Sequence, residues 1–164
     1  MEIPWYAIYT FPNAERKVAQ EMTEMKITNY LPTCEVIRQR SDRKKKLTVP
    51  LFPNYVFLQL GRKEHYRVLN IAGVSRFIQF GDKPASLMEN EIKDLQIVVN
   101  SKEEVTIERF FNPGERVRLT GGPMKGLEGM VLERSGNRRF YLRLTSIEQA
   151  VSIAVDPQYM ERIN

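Results

Sequence analysis

The chain has 164 residues, 42% hydrophobic and 27% charged, a globular composition that excludes a disordered or low-complexity chain. No stretch reaches the roughly 18 uninterrupted apolar residues of a membrane helix, and the start lacks the basic and apolar regions of a signal peptide. Cys34 is the only cysteine, which excludes an internal disulfide and a cysteine-cluster metal site. A soluble cytoplasmic protein of one domain or two small ones is expected.

The net charge of +5 is concentrated. Between residues 36 and 50, Arg38, Arg40, Arg43, Lys44, Lys45 and Lys46 face a single carboxylate, Asp42. This one segment matches the net charge of the whole chain. Such a block forms an exposed loop, and it is read either as a solvated hairpin tip or as a contact for nucleic acid or another polyanion.

Taken in order, Trp5-Tyr6-Ala7-Ile8-Tyr9 is aromatic and β-favouring and predicts a first strand. Pro12-Asn13 stops it, with Asn13 as the N-cap of a helix that has Glu15 in its first turn. Ala14, Val18, Met22 and Met25 make the apolar stripe of that helix, and Glu15, Arg16, Lys17, Glu21 and Glu24 make its polar face. Tyr30-Leu31-Pro32 ends the unit. Residues 33–50 form a long hairpin with the basic block at its tip. From Tyr55 to Leu60 runs a strand with Tyr55 and Phe57 on one face and Val56, Leu58 and Leu60 on the other, which predicts a central place in its sheet. Arg62 to Asn70 forms a short helix ended near Gly73. Val74 to Phe80 forms a strand, and Gly81-Asp82-Lys83-Pro84 its turn. Ser86-Leu87-Met88-Glu89 reads as a capping box opening a helix with Met88, Ile92, Leu95 and Val99 on one face. The order fits an α+β fold, a sheet with helices packed on it.

The composition changes after about residue 100. Ser101-Lys102-Glu103-Glu104 is polar and aperiodic, and Asn112-Pro113-Gly114 opens a series of short strands: around Val117–Leu119, Met130–Glu133, Phe140–Leu144, Val151–Val155 and Tyr159–Ile163. Five short strands punctuated by Gly and Pro suggest a small all-β barrel. Two domains, 1–100 and 112–164, joined by a linker over 101–111, are expected. Gly122, Gly126 and Gly129 are read first as bend residues that adopt positive φ at no Cβ cost. Lys125 stands at the bend, where it could meet RNA or a partner.

Pro113-Gly114-Glu115-Arg116-Val117-Arg118-Leu119 followed by Gly122-Pro123-Met124-Lys125-Gly126-Leu127-Glu128-Gly129-Met130-Val131 resembles the KOW motif. Trp5 to Tyr9 and the segment from Pro50 to Phe57 resemble the NusG N-terminal (NGN) domain. Together they cover nearly the whole chain in the order of the NusG family. Pro50-Leu51-Phe52-Pro53-Asn54-Tyr55 and the segment from Gly73 to Gly81 look more like the specialised RfaH-like paralogues than like housekeeping members. The resemblance implies an NGN domain with an antiparallel sheet flanked by helices, then a small SH3-like five-stranded KOW barrel. It implies a bacterial, monomeric transcription elongation and antitermination factor that rides on RNA polymerase.

The same resemblance implies the site. Tyr9, Phe52, Pro53, Tyr55 and Phe57 match the apolar pocket that takes the clamp helices of the largest polymerase subunit, and tyrosine beside proline suits a rigid docking surface. The competing reading of these aromatics is ordinary core. The basic tip, Arg38, Arg40, Arg43, Lys44, Lys45 and Lys46, would lie near nucleic acid of the elongation complex, with Arg16 and Lys17 available on the helix. His65, Tyr66 and Arg67 match a region that touches the polymerase gate loop, or they form a solvated helix surface. Phe11, Glu21 and Ala72 stand where RfaH presents basic and histidine side chains to its DNA element, and they lack those donors. In the loop from Thr145 to Gln149, Ile147 keeps one apolar anchor for ribosomal protein uS10. The Gly-Arg associated with Rho binding is absent, so antitermination is favoured over Rho-assisted termination.

No Walker-type loop, zinc-spaced histidine pair or nucleophile with a histidine is recognisable, so neither an enzyme nor a cofactor is expected. Cys34 reads as a small hydrophobe. Two further readings stand beside the leading one: a ribosome-associated KOW RNA-binding protein and a housekeeping NusG-type factor. Gly122, Pro123, Gly126 and Gly129 disfavour helices in residues 112–164, so a stable barrel is predicted.

Overall fold

The computed structural model describes residues 2–108, 114–134, 137–144 and 147–163. The chain divides into two compact units, Met1–Glu89 and Asn90–Asn164.

In the first unit, β1 (Trp5–Thr10) is followed by α1 (Glu15–Glu24), β2 (Thr28–Tyr30), β3 (Thr33–Arg40), β4 (Arg43–Pro50) and β5 (Tyr55–Gln59). A 3-10 turn at Arg62–Glu64 leads into α2 (His65–Leu69), then β6 (Val74–Phe77), β7 (Gln79–Phe80), β8 (Lys83–Pro84) and β9 (Ser86–Leu87). The main sheet runs β2-β5-β1-β6, antiparallel throughout, with β9 paired to the start of β1. As expected, β5 is interior.

Alternation gives this sheet two faces. Tyr6 and Ile8 of β1 lie opposite Leu58 and Val56 of β5. All four join Val18 and Met22 of α1, Val68 of α2, and Ile27, Ile71, Val74 and Phe77 in one buried cluster. Ala14 and Met25, at the ends of the predicted stripe, pack against that cluster half-buried. Both helices therefore sit on one face. The opposite face carries Ala7 and Tyr9 across from Phe57 and Tyr55.

Several local expectations are corrected. Asn13 is not the N-cap: it occupies the left-handed region (φ 63°), and Ala14 takes the cap position without a side-chain bond. Asparagine tolerates that conformation, and Pro12-Asn13 uses it to turn the chain. Glu15, assigned to the polar face, is buried. The strand expected over Val74–Phe80 is broken at Ile78, whose N–H donates to Ala7 O (2.8 Å) before the small β7–β8 hairpin begins. Ser86 lies in β9 opposite Tyr6, the helix itself begins only at Glu89, and the Glu89 carboxylate accepts the Trp5 indole N–H (2.6 Å). Strand β2 had no clear sequence signal.

The second unit contains α3 (Glu89–Asn100, beginning at the boundary), whose buried residues are Ile92, Leu95 and Val98. Met88 is exposed, and Val99 is only half-buried. Then come β10 (Val105–Glu108), β11 (Glu115–Leu119), β12 (Glu128–Arg134), β13 (Asn137–Leu144), β14 (Gln149–Ala154) and β15 (Met160–Arg162). They form one antiparallel sheet, β10-β14-β13-β12-β11-β15. All five expected strands are present. A sixth, β10, lies inside the expected linker and pairs with β14 from Val105↔Ile153 to Glu108↔Ala150. The two units divide between Glu89 and Asn90, at the first residue of α3; the rest of the expected linker, at 109–111, lies outside the described residues.

Two glycines of the second unit show the bend chemistry directly. Gly122 (φ 79°) and Gly126 (φ 96°) adopt backbone angles that favour glycine. The Gly126 N–H donates to Leu119 O (2.8 Å), closing the bend between β11 and β12. Gly129 is required for a different reason: a Cβ there would collide with the Tyr141 carbonyl and approach the Phe140 ring to 2.5 Å.

Candidate functional site

On the face of the first sheet away from α1 and α2, Tyr9 and Tyr55 are cross-strand partners. Their rings meet edge to face at 5.5 Å between centroids. Both side chains are half-buried, and Pro53 beside them is exposed. Arg76, opposite Tyr9 on β6, sets its guanidinium carbon 5.5 Å from the Tyr9 ring centroid, within cation–π range. Tyr9, Pro53 and Tyr55 therefore present accessible aromatic and proline surface. Phe57 and Phe52 do not. Their exposures are 0% and 1%, and the two rings pack edge to face at 6.1 Å. In this chain both are core residues.

The turn carrying Pro53 is fixed by polar contacts that sequence reading missed. The Asn54 N–H donates to Glu15 Oε1 (3.0 Å), and the Asn54 side-chain amide donates to Thr10 O (3.1 Å). The Thr10 N–H donates back to Asn54 O (2.7 Å). Asn54 itself sits at φ 74°. Helix α1 thus holds the turn through a buried carboxylate, whose periodicity placed it among solvent-facing residues. Arg76 was missed because register across β1 and β6 cannot be read from spacing.

The basic segment forms the β3–β4 hairpin, paired in register from Thr33↔Pro50 to Arg40↔Arg43 around the turn at Ser41-Asp42. Arg38, Arg43, Lys44, Lys45 and Lys46 are exposed. Lys46 pairs with Glu35 at 2.9 Å. The guanidinium of the exposed Arg16 donates to Thr48 O and ties α1 to the hairpin, and Lys17 is exposed. Cys34, near the hairpin base, is half-buried, and burial pushes its thiol up, as suits a hydrophobe rather than a nucleophile.

The residues 65–67 separate. His65 is buried: its ring stacks on Phe77 (4.3 Å, 16° between planes) and meets Tyr6 edge-on (4.6 Å). Desolvation pushes its pKa down; a hydrogen bond to the Leu60 backbone opposes this, and Arg62 adds to it. Nε2 is buried without a hydrogen-bond partner among the described residues. Neither a solvated surface nor a direct contact fits such a group. Tyr66 is 64% exposed, whereas Arg67 is engaged by Glu64 Oε1 (2.9 Å) and Met25 O (3.2 Å).

In the second unit, Lys125 is exposed at the glycine bend. At Gly114, a Cβ would clash with the Val131 carbonyl, which gives that residue a packing role. Ile147, expected as a surface anchor, is 4% exposed and belongs to the core. Thr145 and Ser146 of that loop lie outside the described residues. No described helix is long and apolar enough to cross a membrane.

Comparison with known proteins follows the same architecture. Residues 3–96 match the family described as "Transcription termination factor nusG". The transcription termination/antitermination protein NusG of Staphylococcus carnosus (strain TM300) is 32% identical over 143 residues, which cover 79% of this chain and 78% of that protein. The protein of the same name from Pasteurella multocida (strain Pm70) is 26% identical and covers 98% of this chain and 95% of its own. A solved structure described as "Domain interaction in Thermotoga maritima NusG" superposes with a TM-score of 0.56 at 20% identity, covering 98% of this chain and 97% of that one, so the likeness of fold extends through the second unit. The class so defined is that of transcription termination/antitermination factors, which are not enzymes. The chain belongs to the NusG family.

Proposed function

We propose that the chain is a processivity and antitermination factor that docks on RNA polymerase through its first unit, at the clamp helices of the largest subunit. The observation that carries this is the Tyr9–Tyr55 pair, half-exposed beside Pro53 on a turn held by Glu15 and Asn54. Paired, pre-positioned tyrosines lose little conformational freedom on binding and suit the centre of an interface. A factor that binds the elongating state better than the paused or open state shifts the population toward elongation by its differential affinity. The β3–β4 hairpin meets nucleic acid of the elongation complex, where phosphate contacts supply affinity and register without reading sequence.

The factor serves a specific long operon, as the RfaH-like segments from Pro50 to Tyr55 and from Gly73 to Gly81 suggest. A housekeeping role is the second reading, favoured by the names of the relatives above. Single-round transcription on several long leader templates tests both. Increased read-through on one leader, lost with Tyr55→Ala, is the expected result. Read-through on every leader would favour the housekeeping role, and no effect on any would overturn polymerase docking.

A further inference from the structure

Three side chains on three adjacent strands of the main sheet stand in one cross-strand row: Tyr55 of β5, Tyr9 of β1 and Arg76 of β6. Paired positions project to the same face, and the next row inward, Phe57 opposite Ala7, is fully buried. What the outer row presents is therefore two rings and one cation. β6 lies at the end of the sheet order, and its register with β1 shifts just past this row. Tyr9 pairs with Arg76 but Thr10 pairs with Val74, which leaves Ser75 as an extra residue. Such a shift re-aims a neighbouring side chain. Here the Arg76 guanidinium carbon comes to 5.5 Å from the Tyr9 ring centroid, and Tyr55 holds that ring edge to face from the other side. Arg76 is exposed, and its side chain has neither a carboxylate nor a hydrogen-bond acceptor among the described residues.

We infer that Arg76 is the charge-reading residue of the docking surface: its guanidinium takes a carboxylate on the polymerase helix seated on Tyr9 and Tyr55. The inference rests on the docking reading above and adds a chemical requirement to it, an acidic side chain at a fixed place on the partner. Continuity carries it, because whatever covers the two tyrosines reaches Arg76 in the same row. A guanidinium offers five N–H donors in a planar fork that matches a carboxylate two-pronged. Contact with the Tyr9 ring limits how far this one can swing, so less freedom is lost when it binds. Neighbouring strands lie about 4.8 Å apart. Two strand spacings from Tyr55 place the carboxylate within about two helical turns of the partner residue on that ring. A nucleic-acid backbone is the poorer match, since its affinity comes from several cations along a phosphate run, and this row supplies one.

The test titrates polymerase free of nucleic acid with the full chain, wild type and Arg76→Ala, Arg76→Lys, Arg76→Glu and Tyr55→Ala, across a range of KCl concentrations. Arg76→Ala is expected to bind about tenfold more weakly, the loss of one charge-assisted pair. Arg76→Lys, which keeps the charge without the fork, falls between it and wild type, and Arg76→Glu is weaker than Arg76→Ala. Added salt should narrow the gap between wild type and Arg76→Ala. Reversing one Asp or Glu of the clamp helices to Lys should weaken wild type and restore Arg76→Glu. A loss that is equal in all three Arg76 variants and indifferent to salt would mean that Arg76 only steadies Tyr9, which overturns the inference. So would Arg76 variants that bind polymerase like wild type but lose affinity for a DNA duplex or single strand. If only Tyr55→Ala weakens binding, docking stands and the carboxylate contact falls. If Tyr55→Ala also binds like wild type, the docking reading itself fails.

Discussion

The turn that carries Pro53 and Tyr55 depends on the carboxylate of Glu15, which takes the Asn54 N–H at 3.0 Å inside the fold. Truncating it strands that donor in a buried place, at a cost of about 1–3 kcal/mol. Glu15→Ala is therefore expected to lower unfolding stability in urea by that amount, while Glu15→Gln, which keeps an acceptor oxygen, loses much less. Equal losses would show that the bond to Asn54 is not what matters. His65 gives a second test at this scale. Its pKa is lowered in the folded chain, so the unfolded chain binds the proton first as pH falls. Stability from this residue is complete above the unfolded value near 6.5 and is lost as pH drops below it through the lowered folded value. Urea midpoints measured on either side of that window should show the loss, and His65→Phe, which keeps the ring between Phe77 and Tyr6, should flatten it.

Among the elements, the β11–β12 bend separates two kinds of glycine. At Gly129 an added methyl meets the Tyr141 backbone, which cannot move aside, so Gly129→Ala should cost about 1–3 kcal/mol by overpacking. At Gly126 the space is open and only the positive φ opposes a side chain, so Gly126→Ala should cost about 1 kcal/mol. Thermal unfolding of the two variants checks that order, and a reversal would mean that backbone strain outweighs packing there. The five strands from Glu115 onward were legible because turn residues bracket each apolar run. The hairpin was legible because a charge block cannot be buried. β10 was not, since Val105 to Glu108 follows a polar run and owes its pairing to β14, far along the chain. The two faces of β5 were read correctly from alternation. Yet alternation gives a side and not an exposure, so Phe57 and Tyr55 shared a face while only Tyr55 kept accessible surface. Glu15 and Arg76 escaped because their roles arise from tertiary register alone.

For the whole molecule, the described backbone from Gly114 onward is strands, turns and short 3-10 segments, in keeping with a sequence whose glycines and Pro123 oppose helix. The first unit offers two separable surfaces, an aromatic one on the main sheet and a cationic one on the hairpin, and the proposed function assigns a different partner to each. Mutations on one should leave the other's binding intact, as expected of distant, independent sites. The most direct measurement is a titration of purified RNA polymerase with labelled wild-type chain, Tyr55→Ala and, as a control on the second unit, Lys125→Ala. The account requires Tyr55→Ala to bind at least about 30-fold more weakly, the loss of an interface anchor worth about 2 kcal/mol, with unchanged far-UV circular dichroism and with Lys125→Ala near wild type. A folded Tyr55→Ala that binds polymerase as tightly as wild type would contradict it.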